Sequence, residues 1–329
     1  MSVGIRDVAR AAGVSTATVS RVLGKGPVSE ALRAQVEAAV RATGYRPNLS
    51  ARRLRSRETQ TIGLIVADIR NPFFTAVSRA VEDAAYAAGL RVILCNTDED
   101  PQREALYLRL MEEERVTGVI FAPTTATADG LRAGSLGFPV VLIDRTGPPG
   151  LHDGVVLDNV AAGTALVDHL VERGVSRIGG LFGSTSSTAR ERRAGYEAAM
   201  ARHGLAPEAR TVLPNAEAAE AEAARWLAEP GRPAALIVSN GLLLMGALRA
   251  ARTLRLSVPG DLALAGFDNE PWTDLVEPGL TVVEQPVDEI GRQAMRLLFD
   301  RLERPDQPVR RVVLCGRLVV RGSTGGEWP

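Results

Sequence analysis

The chain has 329 residues, 45% hydrophobic and 24% charged, an ordinary composition for globular protein and a length that calls for two or three domains. Its 39 basic residues cancel its 39 acidic ones overall, but residues 1–60 hold eleven Lys and Arg against four Asp and Glu, leaving 28 against 35 beyond. A basic head on an acidic body is the electrostatic footprint of a DNA-binding arm joined to a part with another task. The opening Met-Ser-Val-Gly-Ile-Arg lacks the apolar core of a signal peptide, and no apolar run approaches membrane-spanning length, so a cytoplasmic protein with no membrane partner is expected. Cys95 and Cys315 lie in apolar, strand-like runs without CxxC spacing, and His152, His169 and His203 are scattered, so no disulfide, metal site or cofactor is expected.

The first two dozen residues carry two short helical patterns meeting at Gly13. Val8, Ala9 and Ala12 fall at helical spacing before it, and Val19, Val22 and Leu23 do so after Ser15. Ser15 can cap the second helix by accepting the amide of Ala17 or Thr18, which leaves Thr16, Ala17, Ser20 and Arg21 facing outward near its start. Hydroxyls, a methyl and an arginine presented from a helix N-terminus suit a major groove, where Arg reads guanine and small groups touch thymine methyls. Ser29 caps a third helix, about Ala31 to Thr43, with Leu32, Val36, Ala39 and Val40 inward and Gly44 just past its end. The stretch Tyr45-Arg-Pro-Asn-Leu-Ser-Ala-Arg-Arg-Leu-Arg-Ser-Arg57 follows, too basic and too short to fold alone, and it calls for a polyanion.

In this helix-turn-helix and in the Tyr45 to Leu54 segment, the sequence resembles the LacI (lactose repressor-like) family of bacterial transcription regulators, and the resemblance extends over the whole chain. It implies that the second helix enters the major groove with Thr16, Ala17 and Arg21 as base readers, flanked by Ser15, Thr18 and Ser20. It implies further that residues 47–59 form a hinge helix in the minor groove, capped by Asn48, with Leu54 as an apolar wedge and Ala51, Arg52 and Arg55 beside it. Gly24 departs from the asparagine common there. The implied domains are a helix-turn-helix head (1–46), the hinge (47–59) and an effector-binding, dimerising body (60–329).

From Thr61 onward strand and helix patterns alternate, which predicts parallel sheets with helices on both faces. Strands read at Thr61–Val66, Arg91–Cys95, Gly118–Ala122, Val140–Ile143 and Gly154–Leu157, with helices at Phe74–Ala88 and about Arg103–Glu114. A second series has strands near Arg177–Leu181, Thr211–Leu213, Ala235–Val238 and Leu262–Gly266, with helices near Val160–Arg173, Ala189–His203, Ala216–Ala228 and Gly241–Leu254. After Thr281–Val283 come a helix at about Val287–Leu302 and strands Val312–Cys315 and Leu318–Arg321. The resemblance, whose body is similar to periplasmic sugar-binding proteins, implies two doubly wound lobes crossed near Asp158–Ala161, Gln285–Pro286 and Leu318–Val320. Lobe 1 is then 60–158 plus 287–318, and lobe 2 is 159–285 plus 319–325.

Ligands of open parallel sheets sit outside the carboxyl ends of the strands. Those loops hold Asp68, then Asn71-Pro-Phe-Phe74; Asp144-Arg145; Ala189-Arg-Glu-Arg192; Ser239-Asn240; Phe267-Asp268; and Gln285. Carboxylates and amides suit vicinal hydroxyls, and aromatic rings suit the apolar face of a sugar. By position, the resemblance implies effector contacts at Asn71, Phe73, Asp144, Arg145, Arg190, Asn240, Asp268 and Gln285, with Asp68 and Phe74 adjoining. Gly241 replaces the usual aspartate after Asn240. The aromatic of the second lobe's early loop is replaced by Ala216 or a neighbour, and Trp272 is the candidate substitute. Asp144 and Asp268 favour a neutral sugar, while Arg145 with Arg190 would suit a sugar acid or phosphate; a nucleoside is a further alternative.

Enzyme motifs are missing: there is no GxSxG elbow, GxGxxG loop or GxxxxGK loop. The expected protein is a homodimeric repressor on a near-palindromic operator in double-stranded DNA. Its dimer face is expected on the helix Ala76–Ala87 and on the stripe Leu244, Ala247, Leu248 and Ala251, although the same stripes would serve equally as plain core.

Overall fold

The structure is a computed structural model describing residues 4–23, 27–44 and 59–326. Contacts divide the chain into two compact units, residues 1–59 and 60–329. In the first unit, α1 (Ile5–Ala11), α2 (Thr16–Leu23) and α3 (Glu30–Thr43) close a small core of Val8, Ala9, Ala12, Val19, Val22, Val36 and Ala39. The turn between α1 and α2 needs a left-handed residue, and Gly13 supplies it at φ 60°. Ser29 Oγ accepts the Leu32 amide at 3.4 Å and starts α3, while Gly44 ends it at φ 66°.

The second unit holds two six-stranded sheets. The first has the order β11-β5-β4-β3-β1-β2, with β1 Thr61–Val66, β2 Arg91–Asn96, β3 Gly118–Phe121, β4 Val140–Ile143, β5 Asp153–Leu157 and β11 Arg311–Leu314. The second has the order β12-β10-β9-β8-β6-β7, with β6 Ile178–Gly183, β7 Glu208–Val212, β8 Ala235–Val238, β9 Ala263–Phe267, β10 Thr281–Glu284 and β12 Arg317–Val319. Every pairing is parallel except β10 with β12, where Val282 faces Val319. Strands such as β1, β3, β4 and β8 are buried along their whole length, which is why they read as unbroken apolar runs rather than alternating ones.

In lobe 1, α4 (Pro72–Ala87) and α12 (Val287–Glu303) cover one sheet face with Phe73, Phe74, Val77, Val81, Ile290, Ala294 and Leu298, while α5 (Pro101–Glu113) covers the other through Leu108 and Met111. The short α6 (Thr125–Gly130) follows β3 and has no counterpart in the sequence reading. In lobe 2, α7 (Asn159–Glu172) and α8 (Ser187–Arg202) pack on one face, and α9 (Ala216–Leu227) and α10 (Gly241–Thr253) on the other. Helices α7 and α8 touch backbone to backbone: a Cβ at Gly195 would lie 2.2 Å from the Val160 carbonyl oxygen, so only glycine fits there. The short α11 (Pro271–Leu275) completes the set.

Three passages join the lobes: Asp158 between β5 and α7, Gln285–Pro286 between β10 and α12, and residues 315–316 between β11 and β12. The third lies ahead of the expected Leu318–Val320, because β11 pairs in parallel with β5 whereas β12 already pairs with β10. Residues 317–318 therefore belong to the lobe 2 sheet, not to lobe 1. Part of the expected dimer face is also corrected. Leu244, Ala247 and Ala251 are fully buried in the lobe's own core against α9, with Leu248 packed beside them.

Candidate functional site

In the head, Ser15 Oγ accepts the Thr18 amide at 3.1 Å and also bonds the Thr18 hydroxyl at 2.9 Å, which fixes the start of α2. Val19 and Val22 turn inward, leaving Thr16, Ala17 and Arg21 exposed and Thr18 and Ser20 half-buried. Gln35 of α3 donates to the Ala12 carbonyl at 2.9 Å, tying the third helix to the turn and holding that face rigid. Asn48, Ala51, Arg52, Leu54 and Arg55, and Gly24, lie outside the described residues.

In the body, the carboxyl ends of both sheets converge on a cleft of about 490 Å³, its mouth included, lined from both lobes. Lobe 1 contributes Asp68, Asn71, Phe73, Phe74, Glu99, Asp144 and Arg145; lobe 2 contributes Arg192, Pro214, Ser239, Asn240 and Asp268, with Gln285 at a crossing. The lobes bond directly along one rim: the Thr125 amide to the Thr185 carbonyl at 3.0 Å, the Thr146 amide to Ser187 Oγ at 2.9 Å, and Thr188 Oγ1 to the Asp144 carbonyl at 2.7 Å.

Asp144 and Asp268 end their strands in the left-handed region, at φ 63° and 76°, a conformation aspartate tolerates better than most side chains. Asp268 Oδ2 accepts the Gly241 amide at 2.8 Å and Oδ1 accepts the Gln285 amide group at 2.7 Å. It does not cap α11, whose N-terminal Glu270 has no side-chain cap. Arg192, 2% exposed, donates from Nε to Asn159 Oδ1 at 2.8 Å and from Nη1 to the Ser239 carbonyl at 2.6 Å, its guanidinium 3.9 Å from the Phe267 ring centre. Arg192 Nη2 and Gln285 Oε1 are buried with no hydrogen-bond partner. Burial raises the Asp144 carboxyl pKa above its ordinary value, with Asp268 and Glu99 adding to the shift and Arg145 and Arg192 opposing it.

Compared with known proteins, residues 4–48 match the family described as bacterial regulatory proteins, lacI family, and residues 167–324 match a periplasmic binding protein-like domain. The transcriptional regulator DegA of Bacillus subtilis is 32% identical, the match covering 98% of this chain and 98% of that protein. The chain belongs to the LacI family. The ribose operon repressor of Escherichia coli is 34% identical over 97% of this chain and 99% of its own length. The lac repressor dimer bound to operator and an anti-inducer shares the fold at a TM-score of 0.88, 25% identity and coverage of 98% and 99%. As a LacI-family member the chain is a DNA-binding transcriptional repressor and not an enzyme.

The family frame sharpens what the cleft brings together. Asp68, Asn71, Phe73, Phe74, Asp144, Arg145, Asn240, Asp268 and Gln285 all line it, but Arg190 and Trp272 do not. Arg190 is exposed on the outer face of α8, and its expected place is taken by Arg192. Trp272 packs against the lobe 2 core, while Pro214 lines the cleft just ahead of Ala216. Asn71 Oδ1 and Asn240 Oδ1 accept the Phe73 and Leu243 amides and so cap α4 and α10, leaving their Nδ2 groups as donors. Asp68 is held by Arg70, with Nε and Nη2 each 2.9 Å from a carboxylate oxygen. Among the described residues, no group of His, Cys, Asp and Glu could hold a metal, and no helix is long and apolar enough to cross a membrane.

Beside the cleft, burial and the nearby Asp268 push the Glu270 carboxyl from 4.5 up to about 7. A folded pKa above the unfolded one means that stability is fully present below 4.5 and is lost as pH rises through about 7. Glu270→Gln, which cannot ionise, should therefore melt higher than wild type at pH 8 and no higher at pH 4. A Tm difference equal at both pH values would show that Glu270 does not titrate in this range.

Proposed function

We propose that the protein is a homodimeric repressor of a carbohydrate-utilisation operon, acting in the cytoplasm on a near-palindromic operator and controlled by a neutral sugar bound between the lobes. The observation that carries this reading is the cleft's polar lining. Two buried, unpartnered atoms, Arg192 Nη2 and Gln285 Oε1, provide one donor and one acceptor where both lobes meet. Unsatisfied buried polar groups cost about 1–3 kcal/mol each, and a ligand hydroxyl, which both donates and accepts, relieves that cost. The four carboxylates Asp68, Glu99, Asp144 and Asp268 outnumber Arg145 and Arg192, which weighs against an anionic effector. The ribose operon repressor among the relatives supports a sugar.

A thermal-shift screen of sugars, sugar acids and nucleosides against the full chain tests the reading, followed by titration of operator-bound protein with each compound that stabilises it. A neutral sugar is expected to shift both curves; stabilisation by sugar acids or nucleosides alone would replace it. A coupling of about 1–3 kcal/mol between effector and operator is the usual size. The dimer would use the outer face of α4, where Arg79, Asp83 and the 80% exposed Tyr86 stand free of the lobe's core. Sedimentation giving the mass of one chain at micromolar concentration would exclude it.

For the head, Arg21 is proposed as a guanine reader, with Thr16 and Ala17 beside it. Arg21→Ala should cost about 1–3 kcal/mol at the operator and relax sequence preference there. An equal loss on random DNA in a competition assay would reassign Arg21 to a phosphate.

A further inference from the structure

The loop after β2 places Glu99 in the cleft at φ 61° with a side chain 14% exposed. Its two carboxylate oxygens take both terminal nitrogens of Arg145: Nη1 donates to Oε2 at 2.8 Å, and Nη2 donates to Oε1. Arg145 Nη1 also reaches the Pro123 carbonyl at 3.2 Å, and Nε reaches Asp144 Oδ2 at 3.3 Å. A guanidinium offers an anion two edges for paired hydrogen bonds, Nη1 with Nη2 and Nε with Nη2. Glu99 occupies the first, and Asp144 takes one nitrogen of the second. Arg192 is likewise committed through Nε and Nη1, so it has only single N–H contacts to give. A third carboxylate, fully buried Glu104, adds to the negative charge around Arg145 while bonding the Thr124 amide and hydroxyl at 2.6 and 2.7 Å.

We infer that Glu99 is a specificity-determining residue of the effector cleft: by saturating Arg145 it excludes carboxylate- and phosphate-bearing ligands and leaves single donors suited to neutral hydroxyls. The inference rests on the reading of this cleft as the effector site. Burial works against the charged Glu99 carboxyl, yet the charge and hydrogen bonds of Arg145 hold its pKa below the ordinary value, so the block persists across the neutral range. Glu99→Gln preserves side-chain size, removes one negative charge and one of the two acceptors, and so leaves one terminal nitrogen of Arg145 without its partner and open to an anion. Glu99→Asp keeps the charge.

The test is calorimetry on the full chain with inorganic phosphate, D-gluconate and D-glucose, for wild type, Glu99→Gln and Glu99→Asp. Wild type and Glu99→Asp are expected to show no saturable phosphate binding and to favour glucose over gluconate. Glu99→Gln should gain saturable phosphate binding and raise gluconate affinity roughly ten- to hundredfold, the size of one unit charge a few ångströms away at intermediate dielectric. Unchanged phosphate and gluconate binding in a folded Glu99→Gln overturns the inference. So does a wild type that binds gluconate more tightly than glucose, a comparison that needs no variant to fold. Anion gain without neutral-sugar binding in any variant would remove the neutral-sugar effector and leave the role of Glu99 standing. Neutral-sugar binding without anion gain would do the reverse.

Discussion

Arg192→Met should destabilise the body by about 3–5 kcal/mol and abolish the effector response, because it removes one side of a buried charge cluster and leaves the other. Methionine keeps the unbranched apolar stem and most of the volume of the arginine but not its guanidinium, so the loss would come mainly from the missing donors and charge. Asn159 Oδ1 and the Ser239 carbonyl lose their donors, the Phe267 ring loses its cation, and Asp144 and Asp268 face each other without their shared counter-charge. Burial itself depresses the Arg192 pKa, and the charges of Asp268 and Asp144 oppose that shift. Denaturant titration of the full chain at pH 7 and pH 5 checks the account. The deficit should shrink at pH 5, where Asp144, whose carboxyl pKa burial already raises above its ordinary value, takes up a proton more readily. A loss below about 1 kcal/mol, the scale of an exposed ion pair, would mean that solvent reaches the cluster.

Arg192 also shows where the sequence could be read and where it was read too loosely. The resemblance points to Arg190 in the segment Ala189-Arg-Glu-Arg192, whereas it is Arg192 that lines the cleft. The inward face of α8 runs through Ala189, Arg192, Tyr196, Ala199 and Met200, a helical period that places Arg190 outside, so one turn back from Tyr196 falls on Arg192 and not on Arg190. The strand-end rule found Asp144, Asp268 and Asn71 because each follows an apolar run that can hardly be misread. Glu99 follows β2, an edge strand whose outward residues are partly exposed and whose pattern is correspondingly weaker. The parallel sheets were legible for the reason that they are buried on both faces. The last crossing was not, because β11 and β12 are separated by two residues and only their pairing shows that they belong to different sheets. The stripe on α10 reads equally as core or as dimer face because a helix buried against both a sheet and α9 presents the same small apolar residues as one that meets a second chain.

Asp268→Asn is expected to weaken effector binding by about ten- to a hundredfold while changing apo stability little, and the geometry explains the separation of the two effects. The carboxylate joins two elements: it accepts the first amide of α10 at Gly241, and it accepts Nε2 of Gln285 at the crossing. An asparagine can keep the Gly241 bond through its own oxygen and turn its NH2 toward Gln285. Since Gln285 Oε1 has no partner, the glutamine amide can rotate to accept that NH2, and the apo contacts are restored with donor and acceptor exchanged. The rotation has a consequence for the ligand. Gln285 would then present its NH2 to the cleft in place of its free acceptor, and Arg192 would lose one of the carboxylates that hold it. A sugar hydroxyl that donates to that acceptor, or to Asp268 itself, would meet a donor instead. If Asp268 serves only to anchor the start of α10, the same exchange leaves the ligand contacts untouched. Titrating operator-bound wild type and mutant with the effector found by thermal shift, alongside their melting temperatures, separates these outcomes. A right-shifted response at unchanged Tm places Asp268 in the effector site, whereas an unshifted response confines it to holding α10.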